Sequence, residues 1–598
     1  MSNVLSQPPP QMESRLPSPV VERRPRLWPG VVIMAVMWVA CTVPNLLSPG
    51  SIMGFQARFF SPMIAAPLVF LWWIAFSRTG WRDRVFVPLA LIAITVATAL
   101  LVHQNYQMGL VLFGLPWALT LWVGWLLATP FLTWPVRRLG LLACILLLGA
   151  YCTLIRVDGT TGEFDATVNW RWTPTPEDIF LASRSSAPPL TAATPAVLTL
   201  TPGDWPEFRG PERDGHARGV RIATDWTESP PQARWRKRIG PGWSSFAVVG
   251  KNLYTQEQRG EKEVVVCYHT DSGEERWIHE DATRFTETVA GPGPRSTPTF
   301  HEGKLYTLGA NGHLNCLDAA TGKLIWKHDI AADAAAKVPM WAFSSSPLVA
   351  QGIVTVFAGG EKGIVLGYKA DTGDLAWKAG EGKHSYCSTQ LNKIDGVEQL
   401  LICTDVGLLS LQPKDGKLLW KHEWQLPQDM ARVVQPARVG ERDFLIGTGF
   451  DFGTRRIRVK PTAAGWNADE EVWSTRAIKP YYNDLVVHKG NLYGFDGAFF
   501  VCVNLDDGAL RWKQRGFGHG QVLLLPDQDL LLILGEKGQA ALVDAKPDGY
   551  KSHGQFQAIE GKTWNHPVIA HGKLFVRNGE EIACYQLKTL DAPKMIGD

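Results

Sequence analysis

Polar and charged residues recur just ahead of a series of short apolar segments in the second half of the chain. They are Arg295 and Ser296, Ser344 and Ser345, Ser388 and Thr389, Arg432, Tyr482 and Asn483, and Trp564 and Asn565. Brought together, two guanidinium groups with hydroxyls and amides could hold an anionic or carbonyl-rich ligand by charge-assisted hydrogen bonds. The same residues could instead satisfy strand ends and line a water-filled channel. Asp484 is the acid best placed for a general base, or else it serves the start of a strand, and no other catalytic assignment is made. A second candidate surface is the stretch "GTGFDFGTRR" (447–456), where Phe450, Phe452, Arg455 and Arg456 suit contact with a protein or polymer as well as a small ligand. The 9 cysteines contain no adjacent pair and no CxxC, and the 14 histidines form no HExxH, so neither a zinc site nor a thioredoxin-like centre is indicated.

What must position these residues is a repeat. The stretch "LDAATGKLIW" (317–326) recurs in variant form around Trp277, Trp326, Trp377, Trp420, Trp473 and Trp512, with a degenerate copy near Phe556. A glycine stands four residues before most of these tryptophans: Gly273, Gly322, Gly373, Gly416 and Gly508. Ahead of it lies Ser, Thr or Asp, which reads as a tight hairpin entering a strand that carries Trp. A turn followed by an apolar strand precedes each copy, at Gly250, Gly303, Gly352, Gly396, Gly440, Gly490, Asp527 and Gly572. Spacings of roughly 40–50 residues match four-stranded propeller blades. The count is eight, and seven stays open because the copies around Trp473 and Phe556 are irregular. The eighth copy has no outer strand of its own, while "ARWRKRI" (233–239) is an outer strand without a blade, so the two are expected to close the ring. Cys267, Cys316 and Cys502, with Cys584 in the last copy, share one small-residue slot that Gly367 and Ser410 fill elsewhere. The long connections are those from the outer strand of one blade to the inner strand of the next, at 278–295, 327–343 and 421–432, and extra length on one face marks the candidate functional face.

Net charge is +3 with 20% charged residues, which gives no electrostatic case for nucleic acid. The chain divides into a Pro- and Arg-containing arm (1–26), an apolar helical domain (27–155), a Pro/Ser/Thr/Ala-rich spacer (156–203), the repeats (204–590) and a tail (591–598). We expect five spans near 27–47, 59–77, 85–103, 110–133 and 139–155, each close to the roughly 17–25 residues that a bilayer requires. Arg15, Arg23, Arg24, Arg26, Arg78, Arg82, Arg84, Arg137 and Arg138 fall on one side, and Arg58, Arg156 and Arg171 on the other. That bias expects a cytoplasmic N-terminus, an uncleaved first helix and repeats on the extracytoplasmic side of a bacterial inner membrane. Without ionisable groups at membrane depth, the helices read as an anchor, or at most a site for a lipophilic partner.

The repeats resemble the tryptophan-docking repeats of the pyrroloquinoline quinone (PQQ) dehydrogenases. They also resemble related non-enzymatic propellers, such as the lipoprotein of the outer-membrane β-barrel assembly machinery. "DWPEFRGPERDG" (204–215) resembles the entry segment of PQQ-like repeat proteins of unassigned role, and the layout resembles membrane-bound quinoprotein glucose dehydrogenase. The resemblance implies an all-β, eight-bladed PQQ-like propeller behind a transmembrane helical domain. One function it implies is a binding or assembly scaffold for envelope proteins or a polymer. The other is a dehydrogenase that holds PQQ with Ca²⁺ or Mg²⁺ in the central channel, oxidises a sugar or alcohol and passes electrons to membrane quinone. The repeats lack the long insertions of the enzymes and no Asp matches the family's base, so the reading leans to the scaffold.

Overall fold

The structure is a computed structural model that describes residues 25–47, 52–163, 165–184, 197–427, 430–463 and 465–590. The tail and nearly all of the N-terminal arm lie outside the described residues. Contact clustering gives two units, one helical and ending at Ile155, the other running from Arg156 through the repeats.

The helical unit holds five apolar helices. Four are long and apolar enough to cross a membrane: Gln56–Phe76, Trp81–Leu101, Gln104–Ala128 and Trp134–Leu154. The first, whose apolar part is Trp28–Pro44, is shorter than the other four and lies at the lower limit of a span. The unit packs around Trp73, Trp122, Leu126 and Leu141, and large apolar side chains such as Leu100 and Leu147 face outward, the inversion that lipid permits. Charged residues do enter the helix ends. Buried Asp83 accepts the Trp134 Nε1–H at 2.6 Å and pairs with Arg138 at 2.8 Å.

The second unit is an eight-bladed propeller of four-stranded antiparallel sheets. We number the blades in chain order (247–281, 299–329, 348–379, 390–423, 437–475, 486–515, 521–557, 568–586) and letter their strands A to D from the channel outward. Strand Gln232–Arg238 pairs with Glu581–Gln586 as the outer strand of blade 8 and closes the ring.

In blades 1 to 4 and 6 the outer-strand Trp lies opposite a small residue on strand C: Cys267 faces Trp277, Cys316 faces Trp326, Gly367 faces Trp377, Ser410 faces Trp420 and Cys502 faces Trp512. The ring projects over this gap onto the next blade. Trp277 Nε1 donates to Ala319 O at 3.1 Å and Trp326 Nε1 to Ala370 O at 3.0 Å, so these indoles span the interface and satisfy their one donor, whereas Trp420 Nε1 donates to Gln399 of its own blade at 2.7 Å. The hairpin glycine of the receiving blade lies beneath that ring: a Cβ on Gly322 would overlap Trp277, and one on Gly373 would press on Trp326. Trp235, on the closing strand, is a member of the series that the repeat pattern left out, and it docks on Gly273 with its Nε1 bonded to Thr270 O at 3.0 Å.

Blades 5 and 7 carry the irregular copies. In blade 5, Arg456 occupies the small-residue slot opposite Trp473 and bonds Leu505 O of blade 6 at 2.8 Å. In blade 7 the register puts Gly554, not Phe556, at the tryptophan position. Trp226 of the incoming segment fills that gap, packing edge-on to Phe556 with ring centroids 5.5 Å apart.

The stretch expected to be a spacer is partly ordered, with 185–196 outside the described residues. A hairpin (Ile155–Thr160 and Ala166–Trp170) is followed by the helix Pro176–Arg184. Glu177 pairs with Arg284 at 2.8 Å, and Phe180 lies between the guanidinium groups of Arg184 and Arg259. Composition suggested a linker because the partners that hold this helix to the propeller, Arg259 and Arg284, are more than 70 residues away.

Gly322→Val should lower the stability of the full-length protein in detergent by roughly 1–3 kcal/mol, through overpacking against Trp277. Gly352→Ala is the control: it has the same kind of left-handed backbone but open space around the Cβ, so it should cost no more than about 1 kcal/mol. Equal losses in the two unfolding midpoints would contradict the docking role. Glu263, at the junction of blades 1 and 2, is raised to about 8 by burial, against the opposing Ala310 N–H. The folded state therefore holds a proton that the unfolded chain releases above its ordinary carboxylate range, and stability should fall as pH rises from about 5 to 8. Glu263→Gln should flatten that decline in melts at pH 5, 6.5 and 8.

Candidate functional site

The inner strands converge on a central pocket of about 200 Å³. Before each inner strand the chain alternates, as an extended backbone must. One ring of residues, including Trp243, Arg295, Ser344, Tyr386, Tyr482 and Trp564, lines the pocket. Two positions on, Ser245, Ser346, Ser388, Asp484, Gln521 and His566 form a second, deeper ring. The residue between them points into the blades. Ser296, Ser345, Asn483 and Asn565 are such intervening residues, and none lines the pocket. Ser296 donates to Leu308 O at 2.6 Å, Asn565 to Ser244 O at 2.8 Å and Asn483 to Gly520 O, while Ser345 Oγ accepts the Phe357 N–H at 3.2 Å.

Thr389 and Arg432 fall outside the two rings as well. Thr389 shares a hydroxyl hydrogen bond of 2.9 Å with Thr355. Arg432 is fully buried, spends its NH1 and NH2 on Thr404 O, Asp405 O and Trp424 O, and lies over the Trp424 ring at 4.7 Å. Burial pushes its guanidinium down to about 10. Of the residues named from sequence as cofactor-binding, Arg295 alone lines the pocket, and it is occupied too. It donates to Gly293 O at 2.6 Å, pairs with Glu287 at 3.0 Å and stacks on Phe285 at 4.7 Å. Counting back from the turn glycine gave both members of most pairs, and it is Arg295, Ser344, Ser388, Tyr482 and Trp564 that line the pocket. The strand-C register gives the right one, because it absorbs the longer inner arm of blade 4 (Gln390–Ile394).

The floor comes from a segment whose purpose was not legible. Residues 204–217 cross the channel from one side to the other. Trp205 bridges Val248 of blade 1, Pro206 O accepts the Phe300 N–H of blade 2, and Ala217 N donates to Leu524 O of blade 7. Between them, Arg213 donates to Ser346 O at 3.0 Å and Pro347 O at 2.9 Å of blade 3 and pairs with Glu207 at 2.7 Å. Arg209 donates to Leu485 O of blade 6 at 2.7 Å and lies 3.5 Å from Asp484. Phe208 faces upward into the pocket, edge-on to His566 at 5.1 Å. Burial works against an ionised Asp484, but Arg209 and His566, 3.3 Å away, hold its carboxyl below the usual range. Its Oδ1 also accepts the Gln435 N–H at 2.9 Å. The same burial holds His566 down as a neutral imidazole. Asp484 is thus the anionic centre of a tie between plug and blades, with its oxygens engaged.

A larger cleft of about 1180 Å³ opens beside the pocket on the same face, over blades 3 to 5. Trp341, Tyr386, Val433 and Tyr481 are walls common to both. The candidate surface at 447–456 is divided by the structure. Phe450 lines the cleft, with its ring 4.4 Å from Tyr481. Phe452 packs against the core of blades 4 and 5. Arg455 lies over Trp424 and pairs with Glu471 at 3.1 Å. Arg456 is held by Asp443 at 2.6 Å. Three of the four named residues therefore serve the fold.

The hairpin Ile155–Trp170 reaches this face on the far side of the pocket. Thr160 N donates to Val289 O at 2.9 Å and Gly162 N to Glu536 Oε1 at 2.6 Å. A Cβ on Gly162 would overlap His519. Glu536 also accepts the Trp564 Nε1–H at 2.8 Å, which links the hairpin to the pocket wall. Lys562 lies over Trp243 and Trp564, and burial lowers its amine to about 8.

Among the described residues no three His, Cys, Asp or Glu side chains converge as a metal site. The residues also do not fit the quinone that a PQQ-type propeller implies. The channel carboxylate is engaged, Arg432 lies inside the blades, Arg295 is tied to Glu287, and the pocket is below the roughly 300–1,000 Å³ usual for small-molecule sites.

Residues 261–514 match the family model described as outer membrane protein assembly factor BamB. That match spans blades 2 to 5 with parts of blades 1 and 6, in a propeller that follows an N-terminal set of apolar helices. Similar solved structures include BamB from Moraxella catarrhalis, at 13% identity and TM-score 0.44, covering 60% of this chain and 99% of that one. A quinohemoprotein alcohol dehydrogenase from Comamonas testosteroni is similar at 11% identity and TM-score 0.45, covering 66% and 82%. A europium-containing methanol dehydrogenase is similar at 12% identity and TM-score 0.41, covering 65% and 98%. Likenesses this distant carry no functional argument. No curated protein matches the chain.

Gly162→Val should displace the hairpin tip from His519. The expected result is faster acylation of Lys562 by an amine-directed reagent at pH 8, read by peptide mass spectrometry, with the other lysines unchanged. An unaltered Lys562 rate would mean that the hairpin does not cover this corner.

Proposed function

We propose that the protein is a membrane-anchored scaffold, with the propeller on the extracytoplasmic side of a bacterial inner membrane and the N-terminus in the cytoplasm. It would hold an envelope partner on the face that carries the pocket and the cleft. The observation that carries this reading is the contrast between the two. The polar groups of the channel are consumed by the fold, whereas the cleft is open, large and edged by apolar side chains such as Met340, which is 76% exposed. Methionine at an exposed rim is a common feature of adaptable binding surfaces. The distribution of arginine around the helices supports the orientation. The dehydrogenase reading requires a base and quinone contacts that Asp484, Arg295 and Arg432 do not leave available.

The test uses the full chain in its native membrane, with a photocrosslinking residue at Met340 or, on the opposite face, at Gln351. A discrete adduct with a cell-envelope protein from Met340 alone is expected. Equal labelling from both faces, or none from either, would count against the scaffold. In detergent, micromolar PQQ with Ca²⁺ should leave no bound quinone spectrum. A stoichiometric quinone complex with dye-linked oxidation of a sugar or alcohol would replace the scaffold by the enzyme.

A further inference from the structure

The cleft and the pocket share walls but differ in chemistry, and the difference specifies an occupant. The pocket is nearly closed below by Phe208 and walled by Trp243, Trp341, Tyr386, Tyr482 and Trp564, with the Ser344 and Ser388 hydroxyls among them. Its volume of about 200 Å³ suits one large side chain rather than a whole ligand. Ring-lined walls favour an aromatic ring, which packs edge-to-face against such neighbours, while the serine hydroxyls are engaged by Tyr386 O and the Ser346 N–H. The cleft that leads into it has the opposite character. Lys337, Lys362, Lys378 and Lys383 line it, and among the described residues none of the four has an ion-pair partner, Lys378 donating to Asp333 O. Of the acids there, Glu381 is neutralised by Lys421 at 3.0 Å, and Glu361 remains. Among the described residues the rim is therefore cationic by about three charges, the imbalance that steers and orients an anionic partner.

From this geometry, and resting on the scaffold reading above, we infer that the partner is engaged through an extended acidic polypeptide segment. The segment lies in the cleft and inserts one aromatic side chain into the central pocket. A deep anchor ringed by weaker contacts is how protein interfaces concentrate their affinity. The carboxylates beside it would pair with the free lysines at the rim.

The probes are fluorescein-labelled nonapeptides of Asp, Glu, Ser and Gly with Trp, Tyr, Leu or Ala at the centre, titrated against the full chain in detergent. The Trp or Tyr peptide should bind at least tenfold more tightly than the Ala peptide, and replacing its acids by Lys should cost at least fivefold. Ser344→Phe fills the pocket without removing a wall and should abolish the Trp-over-Ala difference. Lys337→Glu with Lys362→Glu, at exposed positions that leave the fold intact, should abolish the preference for acids. Equal affinity for Trp and Ala peptides, or a Trp advantage that survives Ser344→Phe, overturns the anchor. Competition by a neutral oligosaccharide as strong as that by the Trp peptide assigns the pocket to a glycan and also overturns it. Persistence of the Met340 adduct alongside any of these failures would sink this inference alone, whereas loss of the adduct sinks the scaffold with it.

Discussion

A ring of sheets has no stable intermediate between open and closed, and here closure is made by a strand that arrives before the first blade. Gln232–Arg238 supplies the outer edge of blade 8, so an edge that would invite pairing with another chain is covered from within. This has a consequence upstream. The chain must reach the rim from elsewhere, and it does so by crossing the channel between Trp205 and Ala217. Closure and plug are thus one continuous piece of covalent structure. The pocket has a floor because the ring needed its last strand.

Five interfaces around the ring seat an outer-strand indole on a hairpin glycine of the next blade, and the others substitute for it. A small residue on strand C lets an indole lean across to the neighbour, and a glycine there lets the neighbour come close enough to receive it. Where blade 5 places Arg456 in the small slot, the guanidinium joins Trp473 Nε1 in donating to Leu505 O of blade 6. Where blade 7 has Gly554 in place of Trp, Trp226 arrives from outside the repeat and fills the space. Cys267, Cys316, Cys502 and Cys584 belong to this device, each opposite an outer-strand Trp. All nine are free thiols, and burial raises those of Cys267, Cys316, Cys502 and Cys584 above the ordinary range, which suppresses the nucleophilic thiolate.

The channel is polar in sequence and largely spent in three dimensions. Arg209, Arg213 and Arg432 would be costly to bury unless their donors met acceptors, and the acceptors they meet are strand-end carbonyls and two carboxylates. A propeller channel is where eight strand starts converge with no sheet partner of their own, so it gathers unsatisfied backbone groups. Arginine side chains and the crossing segment satisfy them. What is left facing the mouth is aromatic shape, with the cationic cleft beside it, and that combination suits holding a chain better than reacting with a small molecule.

The fold was legible in the sequence because its determinants are local and repeated. The Thr-Gly turn before Trp326, the alternation of its strands and the orphan strand around Trp235 were enough to give eight closed blades, and the long apolar runs gave the helices. The site was much less legible. Facing alternates every residue, so a count that slips by one exchanges Ser345 for Ser346 and Asn565 for His566, and only the hydrogen-bond register across the sheet decides between them. The plug could not be read at all, since Arg209 and Arg213 acquire their roles from Leu485, Ser346 and Pro347, more than a hundred residues away. Sequence alone determined the architecture, because blade formation depends on neighbours along the chain. Tertiary structure alone decided which polar groups remain available, because that depends on which distant carbonyl or carboxylate reaches each one first.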